Sequence, residues 1–327
     1  MYIRRLLAAL LISAVLPVAL TAQSSKPTSV PAETLEHFVF SPQWTAQAQF
    51  AGYYVAKEMG FYEEEGLDVE IVHPYSTQTA VDRLRSDAAQ ATTLTLTEAM
   101  QIEDNGLPLY NILQTSMNTA MVIVSRYGSD PLALRHAKVL DWRAGYGQIA
   151  HCMVSKENVD FQWVTAASCV NLFVAGAVDA ALAMSYNEYY QLLQTGLVNP
   201  DGEGIYRFAE HGYNIQEDGL YMTAREYRKD PERAERFARA SRRGWEWAVE
   251  HPEETLDIVM DYVRADRIGT NRILQKMMLL EVLRLQIDAE SGEREFRLRP
   301  DMVAKASKLM MEEGLLSREI KYEQLVP

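Results

Sequence analysis

The feature that most constrains this chain is an apolar run that passes through a short turn into a helix. His37–Phe40 has the composition of a buried strand, and Phe50–Glu65 has the pattern of a helix. A helix that begins at the carboxyl end of a strand presents unpaired N–H groups to the crevice above the sheet. We therefore expect a ligand site at this turn, lined by its aromatic and amide side chains, Trp44, Gln47, Gln49 and Phe50.

The alternation of short apolar runs with helical segments continues along the chain. It predicts an α/β fold with two lobes, each a mostly parallel sheet flanked by helices. The first lobe takes 36–126 and is completed by 213–327, which returns the chain and adds C-terminal helices, while the second lobe takes 127–212. Two strand connections between the lobes suit a hinge, because few residues then absorb the rotation that closes the cleft.

Three element assignments follow from the same pattern. Ala120–Ser125 is predicted to be a strand at the end of the first lobe, and Ala166–Gly176 is predicted to be a helix of the second. A C-terminal helix is expected to begin with Asp230 as its N-cap, because proline follows that residue and apolar residues then recur at helical spacing.

The N-terminus has the composition of an export signal. Arg4 and Arg5 precede an apolar run that Pro17 interrupts, so we expect 1–22 to be a signal peptide and the protein to be periplasmic. The next segment, 23–35, is rich in Ser, Pro and Thr and is predicted to be a disordered linker. An uncleaved membrane anchor is the alternative, since the apolar run is marginal in length.

Composition excludes several classes of function. The formal net charge of −13 argues against a nucleic-acid partner, because phosphate binding needs clustered Lys and Arg. Cys152 and Cys169 are the two cysteines, and their spacing leaves a disulfide and two buried thiols equally open. No C-x-x-C or His-rich tract supports zinc or redox chemistry. We expect a monomer without metal or cofactor.

The first turn and helix carry a pattern of aromatic residues and glycines that runs from Trp44 and Gly52 to Gly66 and Val69. The chain resembles the periplasmic solute-binding proteins that serve ABC importers of thiamine pyrimidine precursors, alkanesulfonates and nitrate. Ala46 stands where that family often has proline, which affects only the turn. The resemblance implies a type II periplasmic binding protein with a two-strand hinge, and an ABC permease and ATPase as partners. The matching residues are Trp44, Gly52, Tyr54, Ala56, Gly60, Phe61, Tyr62, Gly66, Leu67 and Val69.

The candidate ligand residues cluster where predicted strands end. Trp44 and Phe50 offer faces on which a flat ring can stack, although both also suit core packing. The turn that holds Gly145 and Tyr146 repeats the strand-to-helix geometry in the second lobe, and its alternative role is purely structural. The full set is Trp44, Gln47, Phe50, Thr95, Asn118, Gly145, Tyr146, Tyr186 and Glu188.

Glu188 is the most discriminating of these residues. A carboxylate at a strand's carboxyl end accepts hydrogen bonds from an amino-substituted heterocycle and repels sulfonate or nitrate. The resemblance to the pyrimidine-precursor branch, which carries an acidic residue in a similar Asn-Glu context, favours an aminopyrimidine solute. Alternatively, Glu188 is a first-turn acid that is favoured by the helix dipole.

Three other functions remain open at this stage. An alkanesulfonate or other oxyanion binder of the same fold would use Arg143 and the two helix N-termini. A pyrimidine-synthase-like enzyme is disfavoured, because Phe50 stands where the related synthases carry histidine and neither cysteine lies in a cysteine-rich run. A sensor module that docks on a membrane kinase is the third. We therefore expect a binding protein and no catalytic residues.

Overall fold

The structure, a computed structural model, describes residues 35–75, 77–142, 146–166 and 170–327. The predicted signal peptide and almost all of the predicted linker lie outside the described residues, as do Arg143, Gly145 and Cys169. Cys152 is a buried free thiol, 3.5 Å from the carbonyl oxygen of Leu309. Among the described residues, the helices are all too short or too polar to cross a membrane.

The first sheet confirms a mostly parallel arrangement. Its spatial order is β2-β1-β3-β10-β4, with β1 parallel to both β2 and β3 and with β10 antiparallel to β3 and β4. Alternation along β2 buries Leu67 and Val69 and exposes the acidic residues between them, as expected for an edge strand covered on one face. The strands are β1 (Glu36–Ser41), β2 (Leu67–Ile71), β3 (Ala91–Thr95), β4 (Leu109–Gln114) and β10 (Asp218–Thr223).

The second sheet repeats this design. Its order is β7-β6-β8-β5-β9, with β6 parallel to β7 and β8 and with β5 antiparallel to β8 and β9. β5 and β8 are buried along their whole length, because neighbouring strands and helices cover them. The strands are β5 (Met121–Ser125), β6 (Ala137–Trp142), β7 (Phe161–Ala166), β8 (Ala180–Met184) and β9 (Ile205–Arg207).

Helices flank both sheets. The helices before the return strand are α1 (Ala51–Glu58), α2 (Phe61–Glu64), α3 (Ala80–Arg85), α4 (Leu96–Asp104), α5 (Gln148–Lys156), α6 (Asn171–Val174) and α7 (Glu188–Gln194). The helices after it are α8 (Ala224–Lys229), α9 (Pro231–Glu250), α10 (Pro252–Ala265), α11 (Arg272–Leu285), α12 (Pro300–Glu312) and α13 (Tyr322–Leu325). Asp230 caps α9 as predicted, because its carboxylate accepts the N–H of Arg233 at 3.0 Å.

The chain crosses between the sheets at 115–120 and returns at 208–217. β5 therefore lies in the second sheet, so the boundary predicted at 126 falls after a strand that has already crossed. The antiparallel strand of each sheet, β5 or β10, is the one that directly follows a crossing. This switch was not visible in the sequence, since an apolar strand suits either sheet equally well.

Two predicted helices are also corrected. The helix predicted over Phe50–Glu65 divides into α1 and α2, because Gly60 adopts a left-handed conformation with φ of 76° that an α-helix cannot continue. The helix predicted over Ala166–Gly176 is shorter, since β7 continues to Ala166 and α6 covers only Asn171–Val174. Residues 167–169 between them lie outside the described part of the chain.

α9 packs against α1 at a point where two glycines replace side chains. A Cβ at Gly244 would collide with the carbonyl oxygen of Gly52 and lie 2.9 Å from the Cβ of Ala56. A Cβ at Gly52 would overlap the indole of Trp245, which is buried beneath it. The two helices therefore approach more closely than side chains of any size would permit.

We predict that Gly244→Ala lowers the free energy of unfolding by about 1–3 kcal/mol, the usual cost of overpacking a tight core. Urea unfolding of the purified protein measures this change. Gly269→Ala is the matched control, because no atom lies within 4 Å of a Cβ there. Its effect should stay within about 0.5 kcal/mol. Equal stability of the two variants would contradict the close approach of α1 and α9.

Candidate functional site

A cavity lies between the two sheets, at the carboxyl ends of β1, β3, β6 and β8. It encloses about 390 Å³, part of it open to solvent. Open α/β sheets bind ligands at this edge, because strand-to-helix turns converge there. The described lining residues are Gln43, Trp44, Gln47, Gln49, Thr95, Trp142, Tyr146, Met184, Tyr186, Asn187 and Glu188.

Aromatic rings from both lobes face each other across this cavity. The rings of Trp44 and Tyr146 lie 5.9 Å apart at an interplanar angle of 76°. The carbonyl oxygen of Trp44 accepts a hydrogen bond of 2.6 Å from Nδ1 of His73, whose Nε2 accepts the hydroxyl of Tyr54 at 2.9 Å. Burial lowers the pKa of His73, so its ring is neutral and suits one donor and one acceptor role. The turn of Trp44 is thereby anchored to the core.

Two predicted ligand residues lie elsewhere. Phe50 is buried to 1% exposure and packs beside the His73 ring, with 5.8 Å between ring centroids, so it is a core residue beneath the Trp44 turn. Asn118 lies in the first crossing, where its amide donates to the carbonyl oxygens of Leu285 and Ile287 at 3.3 and 2.7 Å. Neither residue lines the cavity. Gly145 lies outside the described residues.

Glu188 combines both roles that the sequence left open. It begins α7 and also lines the cavity. Its Oε2 accepts the N–H of Met184 at 3.1 Å, and its Oε1 accepts the amide of Asn187 at 3.2 Å. Burial raises the pKa of the Glu188 carboxyl, while hydrogen bonds from the backbone N–H groups of Met184 and Glu188 and from the Trp142 side chain oppose that rise.

A second carboxylate lies behind the first-lobe wall. Asp218 accepts Nε2 of Gln43 at 3.1 Å and Nε2 of Gln49 at 2.6 Å. Burial raises the pKa of Asp218, and the two amide hydrogen bonds oppose the rise. Burial, followed by the charge of Asp218, raises the pKa of the nearby Glu98 to about 8. The described lining residues include no Lys or Arg, so this part of the cavity is acidic.

Helices that begin at the cleft could in principle hold an anion, but this chain already fills two of their N-termini with its own oxygen atoms. In the 3₁₀ turn that leads into α1, the N–H of Ala48 donates a hydrogen bond to Oε1 of Gln275 at 2.7 Å. At α4, Thr95 is the N-cap, and its hydroxyl accepts the N–H of Glu98 at 3.2 Å. Thr95 therefore has a capping role in addition to its place in the cavity wall.

Two helices of the second lobe, α5 and α7, have carboxylates at their N-termini. Glu188 occupies the first turn of α7. At α5, the carboxylate of Asp141 lies against Gly147, where an added Cβ would be 2.7 Å from Oδ1. A negative charge at each N-terminus satisfies the helix dipole from within the protein. An oxyanion would have to approach these carboxylates, which is unfavourable.

The two lobes also touch beside the cavity through neutral side chains. The hydroxyl of Thr97 donates to Oε1 of Gln148 at 3.2 Å, and Nε2 of Gln148 donates to Oε1 of Gln101 at 2.9 Å. On the far side, α12 packs against both α4 and α5, and Lys156 pairs with Glu312 at 2.6 Å. The two lobes are therefore in direct contact at the cavity and on the far side.

Sequence reasoning placed Trp44, Gln47, Gln49, Thr95, Tyr146, Tyr186 and Glu188 in the site, and the structure brings these seven together around one cavity. It did not include the lining residues Gln43, Trp142, Met184 and Asn187, nor Asp218 behind the wall. Gln43 precedes Trp44 in the same turn, and Met184 ends the strand before Glu188, so proximity along the chain was a usable signal. Asp218 carried no such signal, because it reaches the site only through the antiparallel return of β10.

Comparison with known proteins identifies the family. The family model described as NMT1/THI5 like matches residues 47–255, which include most of the two sheets. The chain belongs to this family. It is 25% identical over 266 residues to the formylaminopyrimidine-binding protein of Halalkalibacterium halodurans, covering 76% of this chain and 78% of that protein. The riboflavin-binding protein RibY of Chloroflexus aurantiacus is 24% identical over 302 residues, covering 84% and 81%.

Solved structures show the fold. The periplasmic aliphatic sulphonate-binding protein SsuA of Escherichia coli superimposes with a TM-score of 0.64 at 12% identity, covering 89% of this chain and 92% of that chain. The predicted fold class and the resemblance stated from the sequence are thus confirmed: the chain has the periplasmic binding protein fold. At this identity the likeness shows the fold alone.

A buried carboxyl also lies where the two crossings meet. Glu217 accepts the N–H of Ala120 at 2.8 Å and the hydroxyl of Thr119. Burial raises its pKa from 4.5 to about 8. The folded protein therefore keeps a proton on Glu217 between these two pH values, whereas the unfolded chain releases it. The contribution of Glu217 to the free energy of unfolding therefore falls as the pH rises through that window and stays constant above it.

We predict that the wild type loses roughly 2–4 kcal/mol more unfolding free energy between pH 5 and pH 8 than Glu217→Gln does. Glutamine keeps an acceptor for the crossing but has no proton to lose. Urea unfolding at several pH values measures the difference. Glu63→Gln, at an exposed position of α2, is the control and should follow the wild type. Parallel pH profiles for the wild type and Glu217→Gln would contradict the assignment.

Proposed function

We propose that this chain is the solute-binding component of an ABC importer and captures a small aromatic heterocycle that bears an amino group. A pyrimidine precursor of thiamine, such as formylaminopyrimidine, has this chemistry. The solute enters the cleft from the periplasm, the lobes close over it, and the closed protein delivers it to a permease with an attached ATPase. The protein acts as a monomer and performs no chemistry on the solute.

One observation carries this proposal: the described walls combine aromatic faces with hydrogen-bond acceptors and include no cationic side chain. Trp44, Trp142, Tyr146 and Tyr186 supply rings on which a flat heterocycle can stack. Glu188 supplies a charged acceptor, and hydrogen bonds to charged groups are among the strongest in proteins. A solute with amino groups on an aromatic ring satisfies both kinds of surface.

The relatives support the same chemical class. Both are named for nitrogen heterocycles, one for formylaminopyrimidine and one for riboflavin. We favour the single-ring pyrimidine, because the carboxylate in the cavity wall suits an exocyclic amine.

An oxyanion such as an alkanesulfonate is the competing solute, since sulphonate-binding proteins share the fold. The arrangement of charges disfavours it. The N–H groups of Ala48 and Glu98, at two helix N-termini, already donate hydrogen bonds to side chains of the protein. The helices α5 and α7 begin beside carboxylates. A sulfonate would then face Glu188 at close range, with no compensating cation among the described lining residues.

The test of this proposal is isothermal titration of the purified protein with formylaminopyrimidine, hydroxymethylpyrimidine, riboflavin and an alkanesulfonate. We predict saturable heat with the pyrimidines and none with the sulfonate, because only the pyrimidines donate hydrogen bonds to the acidic walls. Sulfonate binding without pyrimidine binding would refute the proposed solute class. Riboflavin binding in place of pyrimidine binding would retain the heterocycle and correct its size.

We predict that Glu188→Gln weakens pyrimidine binding by about 1.5–3 kcal/mol, the range for a hydrogen bond to a charged group. The same titration measures the dissociation constant, and a thermal melt confirms that the variant is folded. Glu70→Gln, on the exposed face of β2, is the matched control and should bind as the wild type does. An unchanged dissociation constant for Glu188→Gln would place its carboxylate outside the solute contacts.

A further inference from the structure

The first-lobe wall contains a chain of glutamines whose orientation is set by one carboxylate. Gln43 Nε2 donates to Oδ1 of Asp218 at 3.1 Å, and Gln49 Nε2 donates to Oδ2 at 2.6 Å. An ionised carboxylate only accepts hydrogen bonds. Each glutamine must therefore turn its NH₂ group toward Asp218 and its carbonyl oxygen away from it. The hydrogen-bond partners of an amide side chain determine which of its ends points in which direction.

Hydrogen bonds between the glutamines extend this orientation to the cavity. Oε1 of Gln49 accepts Nε2 of Gln47 at 2.6 Å, so the carbonyl oxygen of Gln47 is the free end of that branch. On the other branch, Oε1 of Gln43 is enclosed and accepts no hydrogen bond from the described residues. Gln43 and Gln47 both line the cavity. An enclosed acceptor without a donor costs free energy, which a donor on the solute would recover.

We propose that Asp218 is a positioning residue that determines solute selectivity. Through the glutamine chain it fixes the first-lobe wall as a hydrogen-bond acceptor, so that a solute must present N–H donors to Gln43 and Gln47. Asp218 itself does not touch the solute. This inference rests on the proposed function. It adds the residue that makes the site prefer rings with an amino group over rings that only accept hydrogen bonds.

The backbone holds Asp218 firmly enough for this role. Its carbonyl oxygen accepts the N–H groups of Thr115 and Ser116 at 3.0 and 2.9 Å, so the residue is tied to the first crossing. Burial raises the pKa values of Glu98 and Glu217, and the charge of Asp218 adds to both shifts. The Tyr146 and Tyr186 hydroxyls face the same charge from the second lobe.

The test compares two solutes that differ at one group. One is hydroxymethylpyrimidine with its ring amino group, and the other carries a methoxy group in that place, which accepts hydrogen bonds and donates none. The wild type should prefer the amino compound by about 100-fold or more, since a site built for a donor rejects its absence. In Asp218→Asn the new amide can both donate and accept, which frees the glutamines to turn. The preference should then fall about tenfold, mainly through tighter binding of the methoxy compound.

If Asp218 has only a structural role, Asp218→Asn should weaken the binding of both compounds by the same factor. An unchanged ratio of their dissociation constants would overturn the inference while leaving the proposed function intact. Gln43→Met decides the matter if Asp218→Asn does not fold. It keeps the side-chain length and removes the acceptor, so it should lose about tenfold affinity for the amino compound alone. Gln162→Met, on exposed strand β7, should match the wild type. If the wild type binds neither pyrimidine, the proposed function itself is wrong.

Discussion

The structure depends on one junction, where the carbonyl oxygen of Asp218 accepts the N–H groups of Thr115 and Ser116. The two N–H groups belong to the first crossing between the sheets, whereas Asp218 begins β10 directly after the second, and buried backbone donors require such partners. The side chain of the same residue holds Gln43 and Gln49 in the first-lobe wall. The hinge and the binding surface therefore share a residue. A rotation of the second lobe about the crossings leaves the first-lobe wall intact.

Buried acid is the dominant electrostatic feature around the cavity. Burial raises the pKa values of Glu98, Glu188, Glu217 and Asp218, so the empty protein bears a desolvation cost at each of them. Such a cost is tolerable where a bound solute removes part of it. A positively charged or donor-rich solute gains from this arrangement twice, since it both forms hydrogen bonds and stabilises carboxylates that the fold has left poorly solvated.

The sequence predicted the features of the structure that depend on local residue patterns. Strand-to-helix turns followed from apolar runs, and Trp44, Tyr146 and Glu188 were placed in the site because each follows a strand. The sequence did not predict the position of a strand where that position depends on which strands it pairs with. β5 and the return strand both insert antiparallel into sheets whose other neighbours are parallel, and no local signal separates the two choices. Asp218 was missed for that reason, while Phe50 was misplaced because a buried ring and a stacking ring have the same composition.

The hydrogen bonds between the lobes beside the cavity are individually modest, and the lobes also meet through a hydrogen bond from Ser185 to the Glu281 carboxylate at 2.6 Å and through the packing of α5 on α12. Thr97, Gln101 and Gln148 form neutral hydrogen bonds, each worth about 0.5–1.5 kcal/mol net. The Lys156–Glu312 pair is partly exposed, and such pairs contribute about 0–1 kcal/mol. These contacts are comparable to the gain from one or two good hydrogen bonds to a solute. Because a ligand shifts a two-state equilibrium only by its differential affinity, a solute favours the closed form to the extent that its contacts need both lobes.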